Sequence, residues 1–268
     1  MGLRKRKDGV MIKELPSYVK FFPFIMPNRI GSSVYFSQQV VLDKTMLYCQ
    51  NNEEKIFNIF IAALIKLGQD KPVFNRFIVG KRMYQRNDLS IGFIAKKELT
   101  ETSTETSVKV YFDEDDKLRD VSCKVSEAVQ KVKTGEEHDI DNSVDLLTSL
   151  PKWITALIFK FVSAFNHFGI LSKSFMDGNP LFATAYVTNV GSIGIDAPFH
   201  HLYELGTISI FASLGKIVDK PIVKNGEIVI AKVVNVNFTI DERIADGLYM
   251  AKALGDFVKY MEDPSLLE

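Results

Sequence analysis

Asn225-Gly226 lies between two apolar, β-branched runs, residues 222–223 and 228–236. An Asn-Gly pair supplies the two positive-φ positions of a tight hairpin turn, so the flanking runs are read as neighbouring antiparallel strands. That one turn excludes an all-parallel sheet. The second strand continues through Asn237-Phe-Thr-Ile240 into the charged turn Asp241-Glu242-Arg243. Asp246-Gly247 follows, and the spacing from there predicts a helix over 246–261, with Pro264 just beyond it. Strand, charged turn and helix therefore succeed one another without a linker.

The rest of the chain alternates between the two periods. Residues 34–41 (VYFSQQVV) read as a strand, and so do 76–79, 82–85, 89–95 and 107–112. Asn52-Glu53-Glu54 reads as the cap and acidic first turn of a helix carrying Ile56, Ile59, Phe60, Ala63, Leu64 and Leu67, with Pro72 ending it. Residues 117–132 have helical spacing, and 182–190 and 207–211 read as strands. Helices and strands interleave irregularly, which gives an α/β or α+β chain with a mixed sheet covered by helices. At 268 residues and with no Gly/Ser linker, it reads as one domain.

Composition narrows the partners. Lysine plus arginine equals aspartate plus glutamate, 33 each, so nothing global points to nucleic acid or to an acidic membrane. Two cysteines, Cys49 and Cys123, are too few for a disulfide framework or a zinc site and read as reduced thiols of a cytoplasmic protein. Arg4-Lys5-Arg6-Lys7 is followed by Asp8-Gly9, not by an apolar run, so it reads as a solvated basic arm and not as a signal peptide. The most apolar segment, residues 153–171, is broken by Lys160, Asn166 and His167 and reads as a buried or interfacial helix, not a membrane span. A helix apolar nearly all round needs cover on several sides, which a neighbouring subunit could supply.

Five segments, in order, resemble one family. Residues 70–76 (DKPVFNR) carry a Pro-x-x-Asn turn, and 89–94 (LSIGFI) the strand after it. Thr188-Asn189-Val190-Gly191 closes a strand, Asp241 to Gly247 stands where an active-site signature falls, and 263–267 (DPSLL) resembles the usual chain end. Together they resemble the chloramphenicol acetyltransferases and the catalytic domains of the 2-oxoacid dehydrogenase dihydrolipoyl acyltransferases, over roughly residues 30–267. The resemblance implies a two-layer sandwich of a mixed sheet and helices. It also implies a homotrimer with sites between subunits, and coenzyme A as cosubstrate with no metal. The chain is read as a free-standing member, 1–268, with residues 1–28 as an N-terminal arm and no lipoyl domain.

The family signature has a histidine where this chain has Glu242. That histidine takes the proton of the acceptor, a task that suits a group titrating near neutrality and suits a glutamate only if burial raises it. The resemblance implies that Thr188 donates to the oxyanion beside Asn189. It implies that Asp246 is structural and pairs with Arg29, and that Gly247 lets the helix start pack closely. Asp246 also reads as a helix cap, and Glu242 as the ion-pair partner of Arg243 or Arg29. His200-His201 follows the Thr188 strand, where either ring, His201 first, is a candidate for the missing base, with Glu204 to orient it. Gly191-Ser-Ile-Gly194 reads as a turn, and His138 as part of a solvated acidic loop.

Three functions fit these residues. The first is coenzyme-A-dependent transfer of an acyl group to a small-molecule acceptor, with an altered base. The second is a non-catalytic trimeric relative that binds a ligand or serves as a scaffold. The third is a membrane-surface acyltransferase reaching lipid acceptors through residues 153–171. The first reading expects no nucleic acid and no membrane as partner.

Overall fold

A computed structural model describes residues 6–97, 100, 103, 105–135 and 147–268. Its centre is a six-stranded mixed sheet in the order β2-β9-β8-β7-β5-β6. The strands are β2 (Ser33–Val41), β5 (Leu89–Lys96), β6 (Glu105–Phe112), β7 (Ala185–Asn189), β8 (Ile210–Lys224) and β9 (Glu227–Asp241). The predicted hairpin is β8–β9, antiparallel from Ile210↔Ile240 to Lys224↔Glu227, with Asn225 and Gly226 both at positive φ. Parallel pairing is confined to β5–β7 and β7–β8. A second, three-stranded sheet joins β1 (Gly9–Met11), β4 (Arg82–Arg86) and β3 (Arg76–Val79).

One face of the large sheet is dry. Alternate residues of β9, Val234, Val236, Phe238 and Ile240, point into a core shared with α3 (Ile56–Asp70), α4 (Leu118–Thr134) and the last helix, Gly247–Glu262. Phe60, Phe238 and Phe257 meet there edge to face. The other face carries the polar alternates, and a segment without regular structure, residues 195–204, is laid over it.

Three expectations are corrected. The helix expected to open at Asn52 is two helices: α2 (Asp43–Asn52) ends there because Glu53 turns left-handed at φ 54°, and α3 starts only at Ile56. The basic arm is not solvated as a whole. Arg6 is buried, pairs with Asp8 at 2.8 Å and donates to the Asn166 carbonyl at 2.6 Å, while β1 joins the small sheet and α1 (Ser17–Ile25) follows. Of the two readings of residues 153–171, buried or interfacial, the first fails within the chain: along the helix α5 (Lys152–Phe168), Trp153, Leu157, Phe161 and Phe165 are exposed. Two further helices, α6 (Lys173–Gly178) and α7 (Gly247–Glu262), complete those that concern the site. His138 lies outside the described residues.

Candidate functional site

The sheet register brings the candidate residues onto one face. Thr188 of β7 pairs with Ser213 of β8, Ser213 with Asn237 of β9, and Asn237 with Ser37 of β2. Residues directly opposite share a face, so Thr188 projects beside Ser213 and Asn237, away from the helices. Those two residues hold the overlying segment: Asn237 Nδ2 donates to the Ala197 carbonyl at 2.7 Å, and Ser213 Oγ donates to the Pro198 carbonyl. Two residues along, Thr239 Oγ1 donates to the His200 carbonyl. The polar alternates of β9 thus act as a ladder that fixes residues 195–204 against the sheet.

His200 is set by this ladder. Its ring stacks on Phe211 at 4.1 Å with an interplanar angle of 8°. Phe211 pairs with Tyr186, two residues from Thr188, which puts Phe211 within about 8 Å of Thr188 along the sheet. His200 Nδ1 lies 2.8 Å from the His201 carbonyl. A carbonyl only accepts, so Nδ1 carries the proton and Nε2 is the basic nitrogen. His201 is exposed and packs edge-on against Tyr203. Of the two histidines, His200 is therefore the one held in a defined tautomer.

Glu242 stands elsewhere. It lies five residues beyond Asn237, about 17 Å along the strand direction, and two strand spacings, about 10 Å, from β7. Roughly 20 Å separates it from Thr188 within one chain. It is exposed, so the burial a glutamate base needs is not supplied by its own chain. Neither expected arginine partner meets it. Arg243 donates to Asp241 through Nε at 2.8 Å and Nη2 at 2.6 Å, and to the Met26 carbonyl at 2.9 Å. Both members of that fork are buried.

Arg29 does not pair with Asp246 either. It donates to the carbonyls of Glu204 at 2.8 Å and Ile78 at 3.1 Å, while Glu204 Oε1 accepts the Ile30 N–H at 3.1 Å. Burial without a carboxylate in hydrogen-bond contact pulls its pKa down to about 10. Asp246 is the cap of α7, accepting the Tyr249 N–H at 2.8 Å. The charge that steadies the turn is Asp241, buried at the strand end, because Asp246 has already left the sheet for the exposed helix start. Gly247 is likewise not a packing glycine in the chain: nothing lies within 4 Å of where a Cβ would stand. Gly191 is one, since its Cβ would sit 2.1 Å from the Gly215 carbonyl oxygen. Glu204 anchors the backbone at Ile30, so its expected role of orienting a histidine is not what it does.

Two hollows adjoin these residues. A groove of about 610 Å³ lies at the end of β7, lined by Lys55, Phe57, Asn189, Gly191 and Lys216 among others. Lys55 precedes the first turn of α3, and its side chain does not cap that turn, leaving backbone N–H groups at the groove. A smaller cleft of about 200 Å³ is bordered by Arg29, Lys81, His167, Glu204 and Arg243. Neither hollow is legible in the sequence, because their lining comes from segments far apart in the chain. The Asp241–Arg243 fork did leave a sign: residues i and i+2 of an extended strand share a face. Among the described residues, no group of three or more acidic, histidine or cysteine side chains could hold a metal ion.

Residues 174–268 match the family model of the 2-oxoacid dehydrogenases acyltransferase (catalytic domain). The dihydrolipoyllysine-residue acetyltransferase component of the pyruvate dehydrogenase complex of Bacillus subtilis (strain 168) is 33% identical over 87 residues, which are 32% of this chain and 19% of that protein. The chain thus matches about a fifth of the length of that curated relative. A probable dihydrolipoamide acetyltransferase from Listeria monocytogenes 4b F2365 superposes with a TM-score of 0.59 at 16% identity, covering 94% of both chains. A chloramphenicol acetyltransferase superposes with a TM-score of 0.58 at 12% identity, covering 97% of this chain and 100% of the other. The likeness to the acyltransferase catalytic domains is thus one of sequence over residues 174–268 and one of fold over nearly the whole chain.

Proposed function

We propose that the chain is a coenzyme-A-dependent acyltransferase that works as a homotrimer. The observation that carries this reading is the sheet face itself. Thr188 projects there on the same face as Phe211, on which a histidine of fixed tautomer stacks, and its neighbour Asn189 lines a groove flanked by two lysines. The groove suits coenzyme A: Lys55, Lys216 and the uncapped N–H groups of α3 fit phosphates, and Phe57 and Leu214 fit an apolar arm. Transfer then needs a base to take the acceptor proton as its heteroatom attacks the thioester carbonyl. Thr188 Oγ1 donates to the oxyanion so formed, and the thiolate of coenzyme A leaves with the proton returned by the base.

Within one chain the base is His200, through Nε2. Glu242 reaches a Thr188 only from a neighbouring subunit, since roughly 20 Å separates the two in one chain. The β8–β9 hairpin supports assembly. Val223, Ile228 and Ile230 near its tip are exposed on both strands, an apolar arm suited to a second copy. The acceptor is a small molecule, and a cytoplasmic setting is consistent with the two free cysteines.

The test is Thr188→Ala in steady-state turnover of acetyl-CoA with a panel of small alcohol and thiol acceptors. Loss of an oxyanion donor lowers kcat about a hundredfold or more and leaves KM nearly unchanged. An unchanged kcat removes Thr188 from the mechanism. No turnover in the wild type, with coenzyme A still bound, favours the non-catalytic relative.

A further inference from the structure

The exposed faces of α1 and α5 are an apolar feature that the proposed reaction does not use. α5 presents Trp153, Leu157, Phe159, Phe161, Phe165 and Phe168 to solvent, and Trp153 is 70% exposed. α1 presents Tyr18, Phe21, Phe24 and Ile25. Isolated apolar side chains on a surface need no explanation, but ten on two helices that border one cleft do.

Charge says what kind of surface would cover them. The chain as a whole is neutral, with 33 basic and 33 acidic residues. Neither helix contains an aspartate or glutamate; their charged residues are Lys20, Lys152 and Lys160. The cleft between them adds Arg29 and Lys81 against a single lining carboxylate, Glu204, while the charge of Arg243 is met by Asp241. Lys81 also lies over the Phe24 ring at 4.7 Å, so a cation and an exposed aromatic already share one spot at the cleft mouth. Aromatics with flanking lysines and no acids are the composition of helices that lie in the headgroup layer of an anionic bilayer. Length agrees: seventeen residues in α5 span about 25 Å, short of the roughly 30 Å hydrocarbon core, and no helix among the described residues can cross a membrane.

We propose that α1 and α5 dock the protein on an anionic membrane surface. Their aromatic faces sit at the acyl boundary, and the cationic cleft between them faces the headgroup phosphates. This inference stands apart from the acyltransferase reading, because docking requires no turnover.

Trp153 is the only tryptophan of the chain, so the docking face carries its own reporter. Vesicles of phosphatidylcholine alone and of phosphatidylcholine with phosphatidylglycerol are titrated into the full protein, and tryptophan emission and vesicle flotation are read together. The expected result is a shift to shorter wavelength and co-flotation with the anionic vesicles only. Acyl-chain brominated lipid should quench the emission, and raising salt should weaken the binding. Phe161→Asp and Phe24→Asp should each reduce partitioning about tenfold or more. Lys20→Glu with Lys160→Glu, both at exposed positions, should reduce it while leaving the aromatic face intact. Three outcomes overturn the proposal: emission and flotation indifferent to anionic vesicles, equal binding to both vesicle types with no salt dependence, or a blue shift that grows with protein concentration in the absence of lipid. The last would show that a second copy covers the face.

Discussion

Removing Asp241 should damage this fold far more than removing Asp246, although the signature resemblance assigns the anchoring role to Asp246. Asp241 is 0% exposed and accepts two side-chain hydrogen bonds from Arg243, which is 3% exposed, together with the Arg243 N–H at 3.1 Å. Asp241→Ala leaves the guanidinium buried beside a hole with only the Met26 carbonyl to accept from it. Breaking a buried pair from one side costs about 3–5 kcal/mol, a large share of the 5–15 kcal/mol by which an ordinary domain is stable. Asp246→Ala removes one exposed cap bond, to Tyr249, and costs about 0.5–2 kcal/mol. Urea unfolding at fixed protein concentration measures both. The midpoint of Asp241→Ala should fall well below that of Asp246→Ala with the slope unchanged. The double variant Asp241→Leu with Arg243→Met should recover much of the loss, because an apolar pair of similar volume needs no compensating charge. Asp246→Ala costing as much as Asp241→Ala would refute the assignment of the anchor to the strand end.

The pH–rate profile separates the two bases. A rising limb that is lost in His200→Ala and kept in His201→Ala assigns the base to His200; a profile that survives both and is lost in Glu242→Gln assigns it to a glutamate from the neighbouring subunit. Stability should also respond to Lys109, whose pKa burial pulls down to about 8. Between that value and the ordinary one near 10.4 the unfolded chain binds the extra proton, so stability rises with pH from about 8 to about 10.4. Lys109→Met should flatten that rise in thermal unfolding; an unchanged slope would place its origin elsewhere.

What could be read from the residues was whatever depends on neighbours in sequence. Asn225-Gly226 fixed a hairpin because both residues must take positive φ, and they do. The stripe Leu118, Val121, Val125 and Val132 is buried as its period requires. α2 was missed because its stripe is weak: Thr45 alone is fully buried in it, and what holds the helix is packing against α7. α1 was missed because Pro23 falls inside it, and proline usually marks an end. The site was legible in part. Thr188, Asn189 and Gly191 do stand together at a strand end, and Gly191 is required by the backbone of Gly215. The partners of Arg29 were not legible, because a guanidinium held by carbonyls of residues 78, 203 and 204 leaves no trace in any side-chain pattern.

The placement of Glu242 and His200 bears on how a signature can lose its histidine and keep its surroundings. The two candidates belong to different mechanical units. Glu242 follows the end of β9 between the two members of the Asp241–Arg243 fork, and its N–H is bonded to the Ser32 carbonyl at 2.9 Å. His200 belongs to a segment fixed by Asn237, Ser213 and Thr239, none of which touches the fork. A change of chemistry at residue 242 therefore leaves the ladder under His200 intact, and the converse holds as well. If the working base has moved to the ladder, the face bearing Thr188 holds donor and base in a single chain, and assembly shapes the groove without completing the chemistry. If it has not, Thr188 works only where another subunit brings Glu242 to it and buries it there. A mixed oligomer of Thr188→Ala and Glu242→Gln chains then distinguishes the two arrangements. Shared sites leave each variant inactive alone and regain a fraction of activity when the two are combined, whereas with a site complete in one chain Glu242→Gln is active alone and mixing adds nothing beyond its own share.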